Sequence, residues 1–359
     1  MKPAPVDRAA TAAVAAALNG EDVRLSAADV DTAIAESVAP LLAASAAAQS
    51  LDPASHARLL AHVHGAAAQD AALDEELRRI LPRLAAGGHA PLVVKGAHLA
   101  HALYPSPHLR TRGDSDLLIA PAQRRAVAGA LTDAGYAPAA LTSGSVILGQ
   151  FLYRRPLGPA IVHHVDVHWR AAAPLVFDEA FDSAALAARA VAIPALGPGA
   201  RGPALEDALA LACVHVVAHH WPGGSLRWWY DIRLLAERLG EDGRDRLAGA
   251  ASAGRYVAVT IAALERTRTV FPSTALDAAL DVLRRMPASR EPSAALTRLR
   301  RPPLHDFLLD LRVAGWRRGA TLVREHLLPP PSYMRMAFAG RPLPIAYAER
   351  LVRAVTKRL

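Results

Sequence analysis

Between Pro91 and Trp169 the hydrophobic pattern leaves the spacing of helices and takes up that of short strands, and helical spacing resumes by Phe177. An all-helical fold cannot accommodate that insert, so the chain must place a small sheet among helices. Leu92-Val93-Val94 is an apolar run that stops at Lys95-Gly96, ahead of a short helix over Ala97 to Leu103. Asp114 to Ala120 is a second strand with Leu117-Leu118-Ile119 as its buried centre, and Pro121 to Ala134 a helix ended by Gly135. Val146 to Arg154 and Ala160 to Trp169 read as an antiparallel hairpin turned at Gly158-Pro159.

The flanks are helical. Val38 to Leu51 and Ser55 to Leu81 repeat apolar residues at spacings of three and four, and Asp52-Pro53 marks a helix start. Pro203 to His219 and Ser225 to Leu239 are further helices, with a short strand possible at Ala190 to Ile193. Pro329-Pro330-Pro331 breaks the chain before a last basic helix, Ala346 to Leu359. The expected class is α+β: a small mixed β-sheet core flanked by N-terminal and C-terminal helical segments. The expected division is a helical segment over 1–88, an α/β core over 89–195 and a helical domain over 196–359.

Composition narrows the function classes. With one cysteine, Cys213, an internal disulfide is impossible and a cysteine zinc site is not expected. The start of the chain lacks the continuous apolar core of a signal peptide, and no apolar run is long enough to span a bilayer, so a reducing cytoplasm is the expected location. Net charge is +8, and from Arg284 to Leu359 there are 16 Lys+Arg against 5 Asp+Glu. That excess would attract polyanions. Arginine replacing lysine throughout the chain is the plainer explanation. Without a helix-turn-helix, zinc finger or aromatic RNA platform, nucleic acid is not the expected partner.

The chemistry concentrates in three carboxylates. A strand alternates its side chains, so Asp114 and Asp116 share a face and can bind hard divalent cations. Asp166, flanked by Val165 and Val167 in mid-strand, is costly to bury without a partner, and a shared metal would supply one. By contrast Asp29-Val30-Asp31 lies in a helical setting where the two carboxylates diverge. Gly96 lets backbone approach a phosphate, the helix behind it offers free N–H groups, and Lys95, Arg110 and Arg112 could add positive charge to a triphosphate.

These residues resemble the bacterial uncharacterised nucleotidyltransferase family, a branch of the polymerase-β-like superfamily. The resemblance is carried by Leu92-Val93-Val94-Lys95-Gly96, Tyr104-Pro105, Arg110, Arg112 and Asp114-Ser115-Asp116-Leu117-Leu118. Gly135-Tyr136, Val165-Asp166-Val167-His168-Trp169-Arg170 and the series His215, His219, Trp221 and Arg227-Trp228-Trp229-Tyr230-Asp231 extend it, as does Pro329-Pro330-Pro331-Ser332-Tyr333-Met334. It covers roughly residues 75 to 355. It implies Asp114, Asp116 and Asp166 as ligands of Mg²⁺ or Mn²⁺, with an NTP as substrate. Gly96 would then lie in the phosphate-facing turn, where the superfamily usually has Gly-Ser or Gly-Gly and this chain has Gly96-Ala97. The expected reaction moves an NMP group to a hydroxyl or phosphate acceptor, and a peptide, a sugar or a small molecule fits that role. The rival is a non-catalytic, antitoxin-like protein of the same fold that binds nucleotide or a partner.

His164, Asp166 and His168 share a strand face, which places the histidines beside the metal or the substrate. His215 and His219 have zinc-compatible spacing, but Val216 stands where a metalloprotease needs glutamate. They read as a polar seam between helices, with a substrate pocket as the alternative. One of Trp228 and Trp229 should be core. Asp231 should cap its helix, pair with an arginine or serve the acceptor as a base, and Cys213 should be a small buried side chain.

Overall fold

Among the described residues seven strands form one mixed sheet. The computed structural model describes residues 8–356 apart from 140–145, 148, 288–289 and 303. Helices α1 (Arg8–Leu18), α2 (Ala27–Ala35), α3 (Ala39–Ala44) and α4 (Pro53–Ala86) lead into β1 (Leu92–Val94), α5 (Lys95–Leu103), β2 (Asp114–Leu118) and α6 (Arg124–Asp133). Strands β3 (Ala137–Ala139), β4 (Gln150–Pro156) and β5 (Val162–His168) follow, then α7 (Ser183–Ala188), β6 (Val191–Ala192) and β7 (Arg201–Gly202). The rest is helical: α8 (Leu205–His220), α9 (Leu226–Arg238), α10 (Glu241–Ala253), α11 (Val257–Val270), α12 (Thr274–Arg284), α13 (His305–Leu327), α14 (Pro331–Ala337) and α15 (Leu343–Thr356).

Local chemistry sets several boundaries. Asp52 caps α4, its carboxylate accepting from the Ala54 and Ser55 N–H groups, with Pro53 at the first helical position. The helix runs through Pro82 to Ala86, further than its apolar repeat suggests. In α2, Asp29 accepts from Ser26 N–H while Asp31 pairs with Arg58, so the second Asp-x-Asp is a helix cap and a surface ion pair. The final helix begins at Leu343 rather than Ala346, and the expected residues beyond 356 lie outside the described ones, as do residues 1–7.

The sheet order is β3-β4-β5-β2-β1-β7-β6. The expected hairpin is β4 against β5, antiparallel, but β4 starts at Gln150 and not Val146. The decisive pairing is parallel: β2 lies beside β5 with Asp116 opposite Asp166 and Asp114 opposite His164. Directly opposed residues point to one face, so the strand carboxylates converge.

Each face of the sheet has its own core. Behind it, Val93, Leu117, Val165 and Val167 pack on Leu77, Ile80 and Leu84 of α4 and on Val127 and Leu131 of α6. In front, Leu92, Val94 and Leu118 join a cluster that takes in Val14 and Val30 from the N-terminal helices and Leu209, Trp229, Leu264 and Leu280 from the C-terminal ones. Helices from both ends of the sequence thus share one core, and between them and the front face lies a cavity.

Candidate active site

The cavity holds about 450 Å³, within the usual size of small-molecule sites. Asp114, Asp116, Asp166, His168, Lys95 and Gly96 all line it. Alternation along β2 and β5 puts the acidic side chains on this face and sends Ser115, Leu117, Val165 and Val167 to the back. Ligand atoms of Asp116, Asp166 and His168 lie within 4.8 Å of one another, so these three form the tight cluster. Asp114 stands exposed at its edge, and His164 is outside the group.

Lys95 turns strand into helix. Its φ of 50° is left-handed, which costs a residue with a side chain roughly 1–2 kcal/mol. That backbone brings Nζ to 2.6 Å from Asp116 Oδ1. His168 Nε2 is 2.8 Å from the same oxygen, and 3.2 Å from Lys95 Nζ. Because a carboxylate only accepts, Nε2 carries the proton, and two donors converge on one oxygen.

The charges are strongly coupled. Burial would raise the Asp116 carboxyl, but Lys95 and the bonded His168 outweigh it and hold it well below the usual range. Burial alone would lower the Lys95 ammonium, yet Asp116, backed by Asp166 and Asp114, keeps it above its ordinary value. Burial first and Lys95 second lower His168, which is neutral near pH 7. Burial first and the Asp116 charge second push Asp166 up to about 6. The same two causes raise Asp114, where desolvation by the cavity walls is partial because the side chain still meets solvent. Asp166 Oδ1 is buried with no hydrogen-bond partner.

Arg110 and Arg112 line the cavity, but carboxylates hold both. Arg110 Nε and Nη2 donate to Asp231 at 3.0 and 2.7 Å, and Tyr104 Oη adds 2.7 Å to that carboxylate. Arg112 Nη2 donates to Asp74 Oδ1 at 2.5 Å. Gly96 makes room for the first pair: a Cβ there would stand 2.8 Å from Arg110 Nη1. Asp231 is therefore a buried arginine partner, one of its three expected roles. Trp229 is core and Trp228 faces the cavity, while Cys213 is fully buried.

His215 and His219 line the cavity, with His220 beside them. The His220 and Trp228 ring centroids are 3.9 Å apart, and His215 meets Trp228 edge-on at 5.6 Å. Burial first, then Lys95, lowers His215 well below its usual value; burial and His220 bring His219 to about 4. This wall is neutral and aromatic at pH 7.

A second polar array lies behind the sheet. Ser115 Oγ is 2.9 Å from His163 Nε2, and His163 Nδ1 is 2.7 Å from Tyr136 Oη, which donates to Glu76 at 2.8 Å. Arg79 and Arg155 also bind Glu76. Burial lowers His163 to about 4. Neutral His163 then donates from Nδ1 and accepts the Ser115 hydroxyl at Nε2, so every proton in the chain has one place.

Sequence reasoning assigns no role to Arg227 or Gln150, which also line the cavity. The signal for Arg227 was its spacing of four from Asp231, which puts both on one helix face.

Comparison with known proteins adds three findings. The model of a family described as "Uncharacterised nucleotidyltransferase" matches residues 28–272. JHP933 from Helicobacter pylori, known from its crystal structure, is similar over 58% of this chain and 86% of its own, at 14% identity and a TM-score of 0.32. No curated protein matches the chain.

Proposed function

The chain belongs to the uncharacterised nucleotidyltransferase family and is a transferase of nucleotide groups, and we propose that it moves an NMP group from an NTP to a hydroxyl or phosphate acceptor, using Mg²⁺ or Mn²⁺ held by Asp114, Asp116 and Asp166. One observation carries the metal. Asp166 Oδ1 is buried and unpartnered next to Asp116, and a carboxylate oxygen in that position is costly unless a cation meets it. Hard oxygen donors on adjacent strands fit a divalent ion that phosphates would complete. Bound there, the ion would neutralise charge on the phosphate oxygens as the transfer proceeds.

The chain's own residues set the rest. Lys95 and His168 keep Asp116 ionised, so the site is ready for a cation near neutral pH. The cavity walls would orient the substrate against these carboxylates. The acceptor oxygen bonds to the α-phosphorus, the bond to pyrophosphate breaks, and a hydroxyl acceptor passes its proton to solvent water. A peptide, a sugar or a small hydroxylated molecule suits the acceptor role. No helix of the described residues is long and apolar enough to cross a membrane.

Incubation with each labelled NTP and Mg²⁺ or Mn²⁺, scored for pyrophosphate, tests the reaction. Mn²⁺ binding followed by electron paramagnetic resonance tests the metal without an acceptor. Asp114→Asn, Asp116→Asn and Asp166→Asn should each lose transfer and weaken Mn²⁺ binding while keeping the circular dichroism spectrum. Equal Mn²⁺ and NTP binding by wild type and all three variants would refute the reading.

A further inference from the structure

Four arginines line the cavity, and three have a carboxylate of their own. Arg110 is paired with Asp231, Arg112 with Asp74 and Arg170 with Asp178. Lys95 is spent on Asp116. Arg227 differs. Its Nη1 donates to the Thr111 carbonyl at 2.9 Å, its guanidinium lies 5.9 Å from the Trp228 ring centroid, and its Nε is buried with no hydrogen-bond partner. Among the described residues no carboxylate comes within salt-bridge distance of it. Asp231, one turn further along α9, faces the same way but is taken bidentately by Arg110.

A half-buried guanidinium without a counter-ion is an expensive arrangement unless something outside the chain completes it. Thr111 fixes it three residues before Asp114, and the two charges sense each other across the site. It also sits in the first turn of α9, whose N-terminus adds positive potential. A planar fork with free N–H groups suits the paired oxygens of a phosphate chain.

We propose that Arg227 is the residue that binds the β- and γ-phosphates of the nucleotide, the part that leaves as pyrophosphate. The inference rests on the nucleotidyltransferase reading and assigns the triphosphate contact to Arg227 rather than to Arg110 or Arg112.

Calorimetric titration with inorganic pyrophosphate and Mg²⁺ tests it, using wild type, Arg227→Gln and Arg227→Lys. Glutamine keeps a donor for the Thr111 carbonyl. Arg227→Gln should weaken pyrophosphate binding about 10- to 100-fold, the range for losing charge-assisted hydrogen bonds, and Arg227→Lys should recover part of it. The thermal midpoint of the unliganded Arg227→Gln protein should hold or rise, since an unpaired cation is removed, whereas a merely structural arginine would lower it. Mn²⁺ binding without pyrophosphate should not change. Wild-type affinity in Arg227→Gln would overturn the assignment alone. A wild type that binds neither pyrophosphate nor any NTP would overturn the nucleotidyltransferase reading with it.

Discussion

Gly96→Ala puts a methyl group where a guanidinium already lies. The new Cβ would stand 2.8 Å from Arg110 Nη1 and 3.5 Å from Arg112 Cβ. A free arginine would swing aside at little cost. This one is held by Asp231, which accepts from Nε at 3.0 Å and from Nη2 at 2.7 Å. Two effects then compete. Overpacking a filled site costs about 1–3 kcal/mol. Replacing Gly with Ala inside a helix returns about 0.5–1 kcal/mol, and Gly96 is the second residue of α5. Because Asp231 holds Arg110 in place, the overpacking cost falls in the upper part of that range, about 2–3 kcal/mol, and the clash wins with a net loss of about 1–2.5 kcal/mol. In an Arg110→Met, Asp231→Leu background only the helix term survives, so the same change should stabilise by about 0.5–1 kcal/mol. Urea unfolding followed by far-UV circular dichroism, with unchanged m-values, measures both arms. An equal loss in both backgrounds would refute the packing argument. No loss in either, with weaker nucleotide binding instead, would return Gly96 to the phosphate-approach role expected from sequence.

Burial pushes Asp70 up to about 6, from an ordinary value of 3.8, and leaves its Oδ2 without a partner. A carboxyl raised on folding favours the protonated form, so its contribution is greatest below about pH 4 and declines as pH rises through 6. Asp70→Asn should remove that decline and leave the protein at least as stable as wild type at pH 7.5, as read by thermal unfolding across pH 4–8. Glu76 shows the opposite sign. Burial works against its ionisation, but Arg79, Arg155 and Tyr136 bring it down to about 2, so its stabilisation is present above pH 4.5 and lost as pH falls towards 2. Glu76→Ala should cost about 2–3 kcal/mol at pH 7, discounted for the partly exposed arginines, with a smaller cost at pH 3.

The sheet was legible where apolar runs announce it. β1, β2 and β5 follow from Leu92-Val93-Val94, Leu117-Leu118 and the valines around Asp166, and alternation alone places the acidic residues on one face. β3 and β7 were not legible. Ala137-Pro138-Ala139 and Arg201-Gly202 carry no strand pattern and are extended because their neighbours bond to them. Arginine partners were equally hidden. Arg110 finds Asp231 across 121 positions and Arg112 finds Asp74 across 38, distances over which only tertiary packing decides. His215 and His219 carried two readings because helix spacing reports which side chains are neighbours and not what they face. The position of His163 behind the sheet follows from the alternation that faces His164 forward, but its chain to Glu76 needed α4 in place.

Lys95 and His168 share one Asp116 oxygen, so that atom already has two donors on it. An ammonium already sits 2.6 Å from the atom a divalent ion would take. If Asp116 takes the proposed ion, loading exchanges one cation for another, and apparent metal affinity would include the work of displacing Lys95. With its backbone fixed in the left-handed region, Lys95 can yield only by rotating its side chain. The ammonium so freed would lose its Asp116 partner, and in the proposed reaction the α-phosphate, next to the leaving group assigned to Arg227, would supply another anion. On the proposed reading metal and nucleotide would lower each other's cost of entry, and calorimetry should find each bound more tightly in the presence of the other.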